Sequence, residues 1–132
     1  MADDSPLPAL LAAAEQVRRQ LNQKTFDAEA VAHLANFIEA QRAHLPLAQR
    51  SAVTTALGCF LGQCLVQSYQ GEWALGPDGS TGVGLADRLF FNPFYLVSEQ
   101  LSKGEPASVA RFFASVPARL AAPPAARKRW IS

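Results

Sequence analysis

Gly58 and Gly62 stand four residues apart inside the most apolar stretch of the chain, AQRSAVTTALGCFLGQCLVQSYQG. Around them Val53, Ala56, Leu57, Phe60, Leu61, Cys64, Leu65 and Tyr69 recur with helical spacing. The pattern predicts a helix with an apolar stripe well over a third of its circumference. A glycine inside a helix costs about 1 kcal/mol relative to alanine. What it permits is close approach: a neighbouring helix or sheet packs into the groove, or a ligand or partner helix lies over it. The same spacing serves membrane dimers, but only within a long apolar segment. Here Thr54, Thr55, Gln63 and Gln67 interrupt it, and the apolar run falls short of the roughly 18 residues that a span requires. The segment therefore reads as the buried helix of a soluble domain, without a transmembrane segment. Gly71 stands where a left-handed C-cap is expected.

After Gly71 the periodicity changes. Glu72, Trp73, Ala74 and Leu75 predict a first strand, and Gly76-Pro77-Asp78-Gly79 a tight turn. Thr81, Val83 and Leu85 alternate with small residues, Asp87-Arg88 turns the chain again, and Leu89-Phe90-Phe91 forms a third strand. The expectation is a three-stranded antiparallel meander with one face on the central helix. Asn92-Pro93 is a cap followed by a first-turn proline, so a helix follows over residues 94–103, with Phe94, Val97 and Leu101 inward and Gly104 at its end. A further helix starts at Pro106 or is capped by Ser108, with Val109, Phe112, Phe113 and Val116 inward. Pro117 is expected to break it. Residues 117–132 then read as a Pro/Ala-rich basic tail on a single domain of residues 1–116.

Upstream, Ser5-Pro6 caps a first helix with Leu7, Leu10, Leu11, Ala14, Val17 and Leu21 in one narrow stripe. Such a stripe folds onto the domain or pairs with a second copy of itself, giving a homodimer. Asp27 is the expected N-cap of a second helix over residues 28–44, with Val31, Leu34, Phe37, Ile38 and Leu45 inward and Pro46 at its end. The fold class is therefore α+β: a helical N-terminal half, a small meander and two C-terminal helices.

Composition narrows the function. With 132 residues and 49% of them apolar, the chain can bury a core without staples. A net charge of +1 argues against nucleic-acid binding by the whole chain. The charge is uneven, however. Residues 117–132 hold Arg119, Arg127, Lys128 and Arg129 and no acid, +4; the other residues hold 8 basic and 11 acidic groups, −3. Cys59 and Cys64 are five apart, about 140° around a helix, and cannot bridge each other there. Reduced thiols and an acidic start, MADDSPLP, point to the cytoplasm.

No pattern in the chain assembles a catalytic, metal or cofactor site. His33 and His44 share a face of the second helix but stand about 16 Å apart, too far to share a metal. Gly79-Ser80-Thr81-Gly82-Val83-Gly84 lies between strands, without the helix N-terminus that binds phosphate. Glu72 and Asp87 could meet at one end of the meander, which is the only opening for acid–base work. No catalytic residue, metal ligand or cofactor is assigned. The surface best suited to a ligand or partner is Gly58, Gly62, Trp73, Asn92 and Tyr95. Arg127, Lys128, Arg129 and Trp130 form a second candidate contact, an arm docking on an acidic body or partner.

Leu57-Gly58, Leu61-Gly62, Gly71-Glu72-Trp73, the Gly/Asp turn and Phe91-Asn92-Pro93-Phe94 with Val97 resemble a widespread bacterial domain family to which no activity is assigned. The likeness covers about residues 50–116. Gln63 stands where the family pattern carries an acid, so no role of that acid transfers. The resemblance implies the fold and a bacterial cytoplasmic origin. The function expected is non-enzymatic binding of another protein, in an adaptor, accessory or immunity role; the alternative is a small-ligand domain with its pocket between the Gly58/Gly62 face and the sheet.

Overall fold

A computed structural model of the chain describes residues 7–122. In chain order these form α1 (Leu7–Gln20), α2 (Ala28–Arg42), a 3-10 turn (Leu47–Gln49), α3 (Arg50–Tyr69), β1 (Glu72–Leu75), β2 (Thr81–Leu85), β3 (Leu89–Phe91), α4 (Pro93–Lys103), a second 3-10 turn (Glu105–Ala107) and α5 (Val109–Ala121). The class is α+β, as expected, and the antiparallel sheet has the order β1-β2-β3. Among the described residues no helix is long and apolar enough to cross a membrane. The Ser5-Pro6 cap and the residues beyond Ala122 lie outside the described part.

α3 is the centre. Residues 57–65 are all buried, nine in succession. The expected stripe is thus a full circumference along this stretch. α1 and α4 make the most extensive contacts with it, and α2 and the sheet cover the rest. Gln63, buried in this run, accepts the indole N–H of Trp73 at 3.1 Å. Both cysteines are buried and unbridged, and burial pushes both thiols up from their ordinary acidity.

α2 is capped as expected: the Asp27 side chain accepts from the Ala30 N–H at 3.0 Å. The helix ends at Arg42, so His44 lies beyond it, and Phe37 is 36% exposed instead of inward. A buried glutamine ties this helix to the C-terminal pair. Gln100 donates to the Ala35 carbonyl at 3.1 Å and to Glu39 Oε2 at 2.9 Å, and its Oε1 accepts the Val109 N–H at 2.8 Å. One side chain thereby satisfies the first N–H of α5 and joins α2, α4 and α5. Ser108 caps α5 by accepting from Ala110 and Arg111.

Two helix ends differ from expectation. At the end of α3 the left-handed residue is Gln70, φ 57°, and Gly71 has an ordinary φ. Gly71 is needed for space instead, since a Cβ there would meet Leu85 Cδ2 at 2.5 Å. At the other end of the chain α5 does not stop at Pro117 but runs through it to Ala121. Proline has no N–H for the carbonyl four residues back, that of Phe113. The Tyr69 hydroxyl donates to that carbonyl at 3.1 Å, and the Tyr69 and Phe113 rings pack tilted at 45° with centroids 5.0 Å apart. A tertiary contact thus replaces the hydrogen bond that proline removes, and residues 117–121 belong to the folded body.

The register is Glu72↔Gly84, Trp73↔Val83, Ala74↔Gly82 and Leu75↔Thr81 between β1 and β2, and Val83↔Phe91, Gly84↔Phe90 and Leu85↔Leu89 between β2 and β3. Alternation puts Trp73, Val83, Leu85 and Phe91 on the face toward the helices. Val83 and Leu85 are fully buried there, and Phe91 meets Phe112 edge-on at 4.8 Å. Glu72, Ala74, Gly82, Gly84 and Phe90 share the opposite face. The β2–β3 turn holds Ala86 and Asp87 in the left-handed region, φ 56° and 57°. Two adjacent positive φ values match the twist of a hairpin, but without glycine each residue costs roughly 1–2 kcal/mol.

Candidate functional site

The five residues that the sequence singles out separate into two groups. Gly58, Gly62 and Trp73 are packing. A Cβ at Gly58 would meet Phe94 Cδ1 at 2.3 Å, and one at Gly62 would meet Trp73 Cη2 at 2.1 Å. The chain's own aromatics therefore fill the groove over the glycines, with the Trp73 and Phe94 rings 6.1 Å apart. The space expected for a small ligand between that helix face and the sheet is taken.

Asn92 and Tyr95 do come together at the surface. Asn92 closes β3 and caps α4, its Oδ1 accepting the Tyr95 N–H at 3.0 Å, while Pro93 occupies the first turn. This cap turns the Tyr95 side chain outward, 59% exposed. Opposite lies the β1–β2 turn. Gly76 N–H donates to the Ser80 carbonyl at 2.7 Å, and Gly79 takes φ 83°. Asp78 Oδ1 accepts from both the N–H and the hydroxyl of Ser80, at 3.0 and 2.7 Å, which holds its carboxyl below the usual range. The Phe90 ring lies over Gly76 and Gly82, where an added Cβ would come within 2.4–2.5 Å of it.

Together Pro77, Asp78, Ser80, Phe90, Asn92 and Tyr95 line an open hollow of about 430 Å³. Leu75, next to the turn, is 71% exposed. Sequence reasoning missed Leu75. Strand alternation places it with Trp73 on the helix-facing side, yet it stays exposed there. An open recess with two aromatics, a proline and a few fixed polar groups suits a peptide segment better than a buried small molecule.

The remaining candidates stay apart. Glu72 and Asp87 are both exposed near one end of the sheet. His33, His44 and Glu29 are exposed as well. Among the described residues no group of three or more His, Cys, Asp or Glu could hold a metal ion. Arg127, Lys128, Arg129 and Trp130 lie outside the described residues. No protein-family model, curated protein or solved structure matches the chain.

Proposed function

We propose that this chain is a non-enzymatic protein-interaction domain and that it holds a partner polypeptide at the hollow lined by Pro77, Phe90 and Tyr95, next to the exposed Leu75 end of β1. The observation that carries the reading is the open hollow with Tyr95, 59% exposed, on its lining, together with Leu75, 71% exposed, at the end of β1 before the turn. Large apolar side chains left exposed beside an open recess mark a surface that another molecule covers. β1 is also an edge strand, so an extended segment can add to it through backbone hydrogen bonds. An adaptor, accessory or immunity role in a bacterial cytoplasm is the setting proposed, by analogy from the motif likeness. A homodimer belongs to the same reading, and it would use Leu7 and Leu11, which stay 39% and 40% exposed on α1.

The test is a pull-down from source-cell lysate with quantitative mass spectrometry. The expected result is one stoichiometric protein, held by the unsubstituted chain and by Leu47→Glu, a control at another exposed leucine. Leu75→Glu with Tyr95→Glu is expected to weaken it by about tenfold or more, as loss of two interface anchors does. Equal retention by all three chains overturns the proposed surface. A retained small molecule with no protein partner overturns the reading itself.

A further inference from the structure

We infer that the free edge of β1 pairs with the same edge of a second copy of this chain. The two strands run antiparallel about a twofold axis at Ala74, and two three-stranded sheets join into one of six strands. This contact is separate from the hollow and from the α1 stripe, and each of the three can fail without the others.

The hairpin decides which groups β1 offers. Gly76 N–H donates to the Ser80 carbonyl across the turn. Bonded and non-bonded pairs alternate along an antiparallel ladder, so Ala74↔Gly82 and Glu72↔Gly84 carry the bonds to β2. Trp73 and Leu75 therefore turn their backbone N–H and C=O groups outward, where they meet no partner among the described residues. β3, the opposite edge, turns out only Phe90, because Leu89 and Phe91 face β2. A strand edge is ordinarily guarded by lysine, proline or a bulge. β1 is paired residue for residue with β2 and holds none of the three.

The backbone selects one register. With Trp73 opposite the partner's Leu75, and Leu75 opposite the partner's Trp73, each pair exchanges two bonds, so every outward group of both edges is satisfied. A shift of one residue sets outward groups against groups already bonded to β2. A shift of two in one direction brings Leu75 opposite Gly71, whose N–H already donates to the Val66 carbonyl at 3.1 Å. A shift of two in the other brings Trp73 opposite Pro77, which has no N–H.

The side chains agree with that register, and they point to a second copy as the occupant. Leu75 is 71% exposed on the helix-facing side, where Val83 and Leu85 are fully buried. Opposite the partner's Trp73 it gains an aromatic neighbour on its own face, and the twofold repeats the contact. On the outer face Glu72 stands opposite the partner's Gly76, so no carboxylate faces another directly across the pair. Ala74 meets the partner's Ala74 at the non-bonded position, where strands approach most closely and a small side chain fits.

The test is sedimentation equilibrium of the full chain, with cysteine cross-linking to read the register. The expected mass rises with concentration from 14.2 kDa toward twice that value. Ala74→Cys is expected to give a disulfide-linked dimer on mild oxidation, since the two copies of residue 74 lie about 4.5 Å apart at Cα. Glu72→Cys is the control on the same strand and face. Its two copies stand four residues apart along the pair, about 14 Å, and are expected not to link. Linkage of both variants alike, or of neither, overturns the inference. Leu75→Pro deletes an N–H that points away from β2, so the monomer keeps its fold. By symmetry it removes half of the bonds between the copies, and it is expected to weaken association by about tenfold or more. Unchanged association overturns the inference, as does a mass of 14.2 kDa up to millimolar protein. Loss of the dimer in Leu11→Glu and not in Leu75→Pro overturns it in favour of α1. The pull-down above reads a different protein, so its failure and the failure of this pairing are told apart.

Discussion

The helical body and the sheet hold their shape in different ways. In the body a side chain that could be left without a partner is answered by another element. Gln100 serves three groups at once, Gln63 takes the Trp73 indole, and Tyr69 supplies the donor that Pro117 lacks. The sheet has one such face and one bare one. Its outer surface is open above Gly84, Glu72 and Asp87 form no ion pair among the described residues, and its second turn holds two non-glycine residues at positive φ. Two adjacent strained residues at the edge of an uncovered face, carried on a well-packed body, are the usual disposition of working surface and scaffold. The body should therefore lose stability under almost any interior change, while the sheet has room to gain.

The largest expected effect lies in the body. Gln100→Leu is close in volume but leaves the Val109 N–H buried without an acceptor, and should destabilise by about 2–3 kcal/mol in urea unfolding. A loss below half a kcal/mol would mean that the polar tie is incidental and that the two regions do not differ as described. Next comes Asp27→Ala, expected to cost about 1 kcal/mol by removing the α2 cap. Here pH sharpens the comparison. Hydrogen bonds from the Thr25 hydroxyl and the Ala30 N–H hold the Asp27 carboxyl below its ordinary range. A depressed native value means that the contribution is present above the unfolded pKa and is lost as pH falls through the native one. The stability gap between the unsubstituted chain and Asp27→Ala should accordingly narrow below about pH 4. A gap constant across that range would show the cap to be uncharged in effect. The smallest effect has the opposite sign. Ala86→Gly relieves a left-handed alanine and should stabilise by about 0.5–1 kcal/mol, net of the entropy that glycine adds to the unfolded chain. Destabilisation there would place the strain elsewhere.

Much of the fold was legible because local chemistry and tertiary structure agree. Asp27, Asn92 and Ser108 cap the helices that follow them, and Gly76-Pro77-Asp78-Gly79 turns the hairpin. The misreadings share a cause: each depends on a partner distant in sequence. Pro117 stays helical because Tyr69, 44 residues away from Phe113, reaches its carbonyl. The glycine groove is filled by Trp73 and Phe94, which no helical spacing reveals. Phe37 has the periodicity of a core residue and lies at the rim. Of the candidate site, Asn92 and Tyr95 could be found because a cap motif fixes where the next side chain points. Leu75 could not, since alternation gives a face and says nothing of what covers it.

The two thiols buried in α3 give the central helix a clock. A thiolate is the reactive form of cysteine, and desolvation suppresses it at both Cys59 and Cys64. Modification by an alkylating reagent must then wait for an opening that carries the middle of α3 into water. With reagent in excess the labelling rate becomes the opening rate itself; with reagent scarce it reports how often the open form is visited. No engineered probe is required, because the core contains its own, placed where every neighbouring element must loosen before it can answer.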